Sequence, residues 1–319
     1  MKAINRLDSQ VNRALAPIAV FAYKRPGHLS KTLAALAQNA EAAQSHLTIF
    51  CDGAKSERDL ALVDATRAVA GVVRGFASVT VVARPANLGL AESITAGVTD
   101  MLQRAERVIV FEDDLITSRY CLDYVNRALD RYAGVPEVAS VGCYVFPVAA
   151  SLHESFFLRV TDCFGWATWR DRWQSYEPDA GVLLAGIERR GMAQEFDLDG
   201  AYPYMRMLRD CLEHKNSSWA VRWYASQFLL GRLCVYPGQS MTMNIGMDGS
   251  GVHSGDTRAY DIVLADCPVR HFPEGVEEDR EAFAATATFL RGVIADNGRW
   301  PTRIRRKLIG MYNQFSANA

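Results

Sequence analysis

Residues 107–115 read RVIVFEDDL, an apolar run from Arg107 to Phe111 that ends on three carboxylic acids, Glu112, Asp113 and Asp114. A short run without polar alternation suits a strand covered on both faces, and the carboxyl end of such a strand is where open α/β sheets bind their ligands. Three earlier stretches repeat the pattern. Pro17 to Tyr23 (PIAVFAY) leads through Lys24-Arg25-Pro26-Gly27 into a helix from about His28. His46 to Cys51 (HLTIFC) ends at Asp52-Gly53, with a helix from about Ser56. Val79 to Ala83 (VTVVA) ends at Arg84-Pro85, and Asn87-Leu88-Gly89 opens a helix to about Arg104. After the acidic triplet a helix is expected from about Ser118. Strands and helices alternating at this spacing predict a doubly wound sheet, with Lys24, Arg25, Asp52, Arg84, Asn87 and the triplet gathered along one edge.

Three adjacent carboxylates repel one another unless water or a cation relieves them. Mg²⁺ or Mn²⁺ held by one or two of them is the means by which a diphosphate is gripped and its leaving charge stabilised. The plainer reading is that Glu112 or Asp113 caps the following helix. No G-x-G-x-x-G follows the first strand and no G-x-x-x-x-G-K-[ST] occurs, which argues against a dinucleotide oxidoreductase and a P-loop NTPase.

The 319 residues are 49% hydrophobic, enough for a sizeable core, and 35 Lys+Arg against 36 Asp+Glu leave a net charge of -1, so no global field points to nucleic acid. No apolar segment approaches the roughly 18 residues of a membrane span, and the N-terminus lacks a secretory pattern, so a cytoplasmic protein is expected. The seven cysteines are scattered without a C-x-x-C pair, which reads as reduced thiols. Four regions are expected: an N-terminal extension (1–16), a nucleotide-sugar-binding half (17–137), an acceptor-side half (138–275) and C-terminal helices (276–319).

Beyond Val138 the chain changes character and holds all six tryptophans; it is expected to continue the sheet and to carry an acceptor-facing subdomain. The group Phe164-Gly165-Trp166-Ala167-Thr168-Trp169 with Trp173 offers flat rings for a sugar's C–H faces. Trp166, Trp169 and Trp173 also recur at the spacing of one helix face, which favours core packing for at least two of them. Trp166 is the one assigned here to the donor. The segment from Arg299 to Tyr312 is basic with interleaved apolar residues, which suits equally a solvated closing helix and a helix resting on anionic lipid at the inner face of the cytoplasmic membrane.

Taken together, PIAVFAYKRPGHLSKTL, IFCDG, NLGLAESI, VIVFEDDL, TDCFGWATWRDRW, WAVRWYASQFLLGRLCVYP and NIGMDGSGVHSG resemble the GT-A glycosyltransferases. The nearest branch in pattern is that of animal N-acetylglucosaminyltransferase I and related bacterial sugar transferases. The resemblance covers most of residues 17–256. It implies a doubly wound mixed sheet with a helical acceptor-side extension, and transfer of a hexose-type sugar from a nucleoside diphosphate-sugar to a glycan, lipid-linked or protein acceptor with Mn²⁺ or Mg²⁺. By the same resemblance Asp52 and Arg84 lie near the base or ribose, and Lys24 and Arg25 flank that pocket. Asp114 touches the metal, while Asp113 and Glu112 hold ribose or donor sugar. His253 completes the metal's coordination or bonds a phosphate, with Ser254 beside it. One departure stands out: where the animal enzyme has Trp-Asp, with the Asp as candidate base, this chain has Trp219-Ala220. Asp248 or Glu213 is then the candidate base. Two other classes remain open: a non-catalytic nucleotide-sugar or glycan-binding protein, and a sugar-nucleotide pyrophosphorylase, for which the Lys24–Gly27 turn is short and poor in glycine.

Overall fold

The computed structural model describes residues 14–248 and 259–299. The four expected strands are present as β1 (Ile18–Ala22), β2 (His46–Cys51), β3 (Ser78–Ala83) and β4 (Arg107–Glu112). They pair in parallel in the order β3-β2-β1-β4. The helices between them are α1 (Pro26–Leu36), α2 (Leu60–Val72) and α3 (Leu90–Arg104). Alternate residues of each strand serve opposite faces. Ile18, Val20 and Ala22 join Leu29, Leu33 and Leu36 of α1 in one cluster, whereas Ala19 and Phe21 join Ile94, Val98 and Leu102 of α3 in another. Helices on both faces make the sheet doubly wound, as expected.

One feature departs from the expected series. Directly after the acidic triplet comes a short strand, β5 (Leu115–Thr117), and only then α4 (Cys121–Arg131), whose N-cap is Tyr120. Neither Glu112 nor Asp113 therefore caps a helix. The second half then continues the same sheet, as expected. It supplies β6 (Val138–Gly142), β7 (Ser155–Leu158), β8 (Trp166–Trp169) and, after several helices, β9 (Leu233–Pro237). The order is β3-β2-β1-β4-β8-β6-β9-β7, with β8 antiparallel to β4 and β6, so the sheet is mixed.

The helices of the second half are α5 (Arg170–Trp173), α6 (Ala180–Arg189), α7 (Ala193–Phe196), α8 (Tyr204–Leu212) and α9 (Trp219–Leu229). Helices α6 to α9 enclose a further apolar cluster around Phe196, Leu208 and Tyr224, closed by the last helix, α10 (Arg280–Arg299). A final strand, β10 (Thr242–Asn244), pairs antiparallel with β5. None of the described helices is long and apolar enough to cross a membrane. The cysteines are free thiols, four of them buried.

The tryptophans correct the helical reading of their spacing. Trp166 and Trp169 lie on β8, so an offset of three sends them to opposite faces. Trp169 donates its indole N–H to the Leu129 carbonyl at 3.1 Å, in the cluster under α4. Trp166 enters the other cluster, with ring centroids 5.1 Å from Trp219, 5.8 Å from Trp173 and 6.0 Å from Trp223. At 1% exposure its ring has no face left for a sugar, and the expected platform role is withdrawn.

Candidate functional site

The carboxyl ends of β1, β2 and β4 bring most of the expected residues onto one edge. At the end of β4, Asp113 and Asp114 are 3% and 7% exposed, a burial that carboxylates adopt only when paired. Their counterion is Arg25, in the turn after β1. One guanidinium nitrogen, Nη2, donates to Asp113 Oδ1 at 2.5 Å and to Asp114 Oδ2 at 2.7 Å. Asp113 is fixed further by the Tyr23 N–H on its Oδ2 at 3.2 Å, and its carbonyl accepts the Thr32 hydroxyl at 2.8 Å. Asp114 Oδ1 is buried and has no hydrogen-bond partner among the described residues.

The electrostatics follow from this packing. Burial first, then the neighbouring charges of Asp114 and Asp113, push Glu112 up to about 8, against the opposing influence of Arg25. Burial also raises Asp113, with Arg25 pulling the other way. Burial works against the charge on Arg25, but Asp113 and Asp114 outweigh it and hold the guanidinium protonated.

The strand pair β5–β10 lays the next segment over this group. The Ile245 N–H donates to the Asp114 carbonyl at 2.8 Å. Gly246 lies so close that a Cβ there would fall 2.0 Å from Asp114 Oδ2 and 2.7 Å from Arg25 Nη1. Asp248 follows, its Oδ2 3.2 Å from Nε2 of His28 in the first turn of α1. The chain thus brings Asp248 to the acidic edge. Glu213 is elsewhere: exposed, just past the end of α8, and ion-paired with Lys215. His253 and Ser254 lie outside the described residues, as does the chain beyond Arg299.

Asp52 is buried and its carboxylate is saturated by this chain's own donors. The backbone N–H groups of Leu88 and Gly89 and the Asn87 amide reach it at 2.9, 3.0 and 3.0 Å, and the Gly53 N–H at 2.9 Å. Gly53 is required because a Cβ would meet the Ala86 backbone at 2.3 Å. Asp52 therefore shapes the 86–89 turn, and a ligand contact there would come from the turn more readily than from the carboxylate. Arg84 reaches the Ser93 carbonyl at 3.1 Å and lies over the Phe50 ring. Lys24 pairs with Asp59 at 2.6 Å, and Asp59 also accepts the Tyr23 hydroxyl at 3.0 Å, tying the turn after β1 to the turn before α2.

The residues that sequence reasoning missed are Tyr23, His28, Thr32, Asp59, Asp162 and Gly246. Asp162 lies within electrostatic reach of Glu112, and its carboxylate accepts the N–H groups of Cys163, Phe164 and Tyr144 at 2.7, 2.9 and 3.0 Å. The only signal for it was its place in TDCFGWATW, where the aromatic residues drew attention instead. From the 86–89 turn a groove of about 750 Å³ runs along α3, lined by Glu92, Thr95, Asp100, Tyr176, Ser217 and Arg222 among others.

Whether these residues suit a divalent cation turns on the donor set. Among the described residues no three His, Cys, Asp or Glu side chains converge into a ready-made cage. Mg²⁺-type sites commonly use one or two carboxylates and take their remaining ligands from substrate phosphates and water. A buried Asp114 with one unpartnered oxygen, beside Asp113, fits that second kind of site.

No family model matches this chain, and no curated protein does. Among solved structures it is similar to the mannosyltransferase PcManGT from Pyrobaculum calidifontis, described in complex with GDP-Man and Mn²⁺. The TM-score is 0.39 at 14% identity, over 67% of this chain and 70% of that one. It is also similar to S. aureus TarS, with a TM-score of 0.26 at 15% identity over 37% of this chain and 20% of that one. Neither is an N-acetylglucosaminyltransferase I, and both likenesses are too faint to assign a function.

Proposed function

We propose that this chain is a metal-dependent glycosyltransferase that moves a sugar from a nucleoside diphosphate-sugar to a glycan, lipid-linked or protein acceptor. The observation that carries the reading is the buried Asp113–Asp114 pair at the end of β4, with Arg25 across it and one Asp114 oxygen unpartnered. A buried carboxylate oxygen without a hydrogen bond is costly, and folded chains retain such atoms where a ligand completes them. Mn²⁺ or Mg²⁺ bound through Asp114 supplies Lewis-acid stabilisation of the departing diphosphate.

The chain's own residues do the rest. The 86–89 turn, held by Asp52, presents backbone and the Arg84 side of the pocket to the nucleoside. Arg25 and Lys24 place positive charge beside the diphosphate position. The groove along α3 offers carboxylates and hydroxyls suited to an acceptor rich in hydroxyl groups, with the Tyr176 ring among them. Asp248 is the candidate base, because it stands at the acidic edge with His28 beside it, whereas Glu213 is committed to Lys215.

The test is a thermal-shift series with UDP, GDP and dTDP, with and without Mn²⁺, followed by nucleotide-release assays on the stabilising donor. At ligand concentrations a hundredfold above Kd the folded state gains about 2.7 kcal/mol. A shift that requires Mn²⁺ and disappears in Asp114→Ala supports the proposal. Absence of any shift at millimolar nucleotide would sink it. Metal-independent binding without turnover would favour a non-catalytic nucleotide-sugar-binding protein.

A further inference from the structure

Arg25 holds the two facing oxygens, Asp113 Oδ1 and Asp114 Oδ2, that a cation bridging the pair would use. One guanidinium nitrogen reaches both carboxylates, 2.5 Å from Asp113 Oδ1 and 2.7 Å from Asp114 Oδ2. A dication bound to that Asp114 oxygen would stand close to the guanidinium nitrogen that now holds it, and one bound to Oδ1 would still share the carboxylate with Arg25. Two cations so placed in a buried site repel strongly. The opposite accommodation, moving the carboxylate, is hindered because the backbone at Gly246 packs directly on Asp114 and Arg25, leaving no space even for a methyl group.

We infer that Arg25 and the divalent ion are alternative occupants of the Asp113–Asp114 pair, so that Arg25 is a latch which metal entry must displace. This rests on the metal-dependent reading above and adds a role for Arg25 that differs from flanking the nucleotide. Asp113 survives the exchange in place, because the Tyr23 N–H holds its other oxygen and Thr32 its carbonyl. Asp114 gains a partner for its bare oxygen. The paired Arg25 side chain is already 19% exposed and anchored in the turn after β1, from which a released guanidinium can swing to an anion. A planar fork of N–H donors suits a phosphate as well as it suits a carboxylate. A diphosphate drawing Arg25 away would therefore tighten metal binding, and by linkage metal would tighten the diphosphate by the same factor.

The experiment measures free Mn²⁺ by electron paramagnetic resonance while protein is titrated, with and without the stabilising nucleoside diphosphate. It is run on the full chain, on Arg25→Gln and on Arg25→Lys. In the absence of nucleotide, Arg25→Gln should bind Mn²⁺ on the order of tenfold more tightly than the parent. The factor by which nucleotide tightens Mn²⁺ should shrink in the same variant. Arg25→Lys, which keeps one charge but loses the fork, should fall between the two and serves as the decisive comparison if Arg25→Gln does not fold. Equal or weaker Mn²⁺ affinity in a folded Arg25 variant overturns the latch, and it does so without touching the glycosyltransferase reading if nucleotide binding to the parent still needs Mn²⁺. Failure of parent and variants alike to bind Mn²⁺ overturns both.

Discussion

Asp162 shows how much a single side chain can decide that a linear reading passes over. It belongs to the turn before β8, close enough to Glu112 to sense its charge, and three backbone N–H groups converge on its carboxylate. Burial nevertheless outweighs those bonds and pushes it up to about 6. Because the folded value lies above the ordinary 3.8, this group's contribution to stability is complete below pH 3.8 and is lost as pH rises through about 6. Asp162→Asn removes the titration. It keeps an oxygen for Cys163 and Phe164 but turns an NH₂ toward the Tyr144 N–H, at a cost of about 1–3 kcal/mol. The variant should be less stable than the parent at pH 5, with the gap narrowing by roughly 1.4 kcal/mol at pH 7.5. Urea denaturation of both proteins at the two pH values measures this, and a constant gap would contradict it. Trp166 makes the complementary point: fully enclosed by three other tryptophans, it should act on stability alone. Trp166→Ala is expected to cost about 3–5 kcal/mol, whereas Trp166→Phe, if folded, should leave donor KM unchanged in steady-state assays.

At the scale of elements, β1 to β4 were legible because each is a continuous apolar run, closed by Gly, Pro or acid and followed by a helical stretch, a pattern local in sequence. The edge that gathers Arg25, Asp52 and the acidic triplet followed from that alternation alone. The β5–β10 pair was not legible. Each strand is three residues long, and Leu115–Thr117 finds Thr242–Asn244 only after most of the second half has folded between them. The tryptophan spacing misled for a related reason, since an offset of three cannot distinguish one helix face from two strand faces when the strand is only four residues long. Yet β10 is the element that delivers residues 245–248 to the acidic edge. Gly246→Ala tests its part. The added methyl cannot coexist with Asp114 Oδ2 and Arg25 in place, so either those side chains or the segment must shift. We expect Mn²⁺-dependent nucleotide binding to weaken at least tenfold by calorimetry, while the melting temperature falls by only a few degrees because the main sheet is untouched. Unchanged binding would mean that the segment contributes nothing to the site.

Across the whole molecule, the chain on either side of residue 137 shares its cores. Strand β8 inserts next to β4, so Ile109 packs in one cluster with Ala167 and Trp169, and Val108 and Val110 share another with Trp166. Arg172 binds the halves further. It is 3% exposed, and its guanidinium donates to the carbonyls of Tyr132, Ala133, Val135 and Val138, with Asp171 as counterion. Cutting the chain at 137 would bare the edge of β4 and strip Ile109 and Val110 of their cover, leaving an apolar strand edge open to aggregation. The fragment 1–137 should therefore be insoluble or unfolded by circular dichroism. Arg172→Ala, which orphans several buried carbonyls at once, should destabilise the full chain by about 3 kcal/mol or more. Because the shared sheet carries both halves, scanning calorimetry of the intact protein should show the candidate site and helices α6 to α9 melting in one transition, shifted as a unit by nucleotide and Mn²⁺ if the proposed function holds. Two separable transitions, only the first moved by ligand, would show instead that β4 and β8 come apart before either half unfolds.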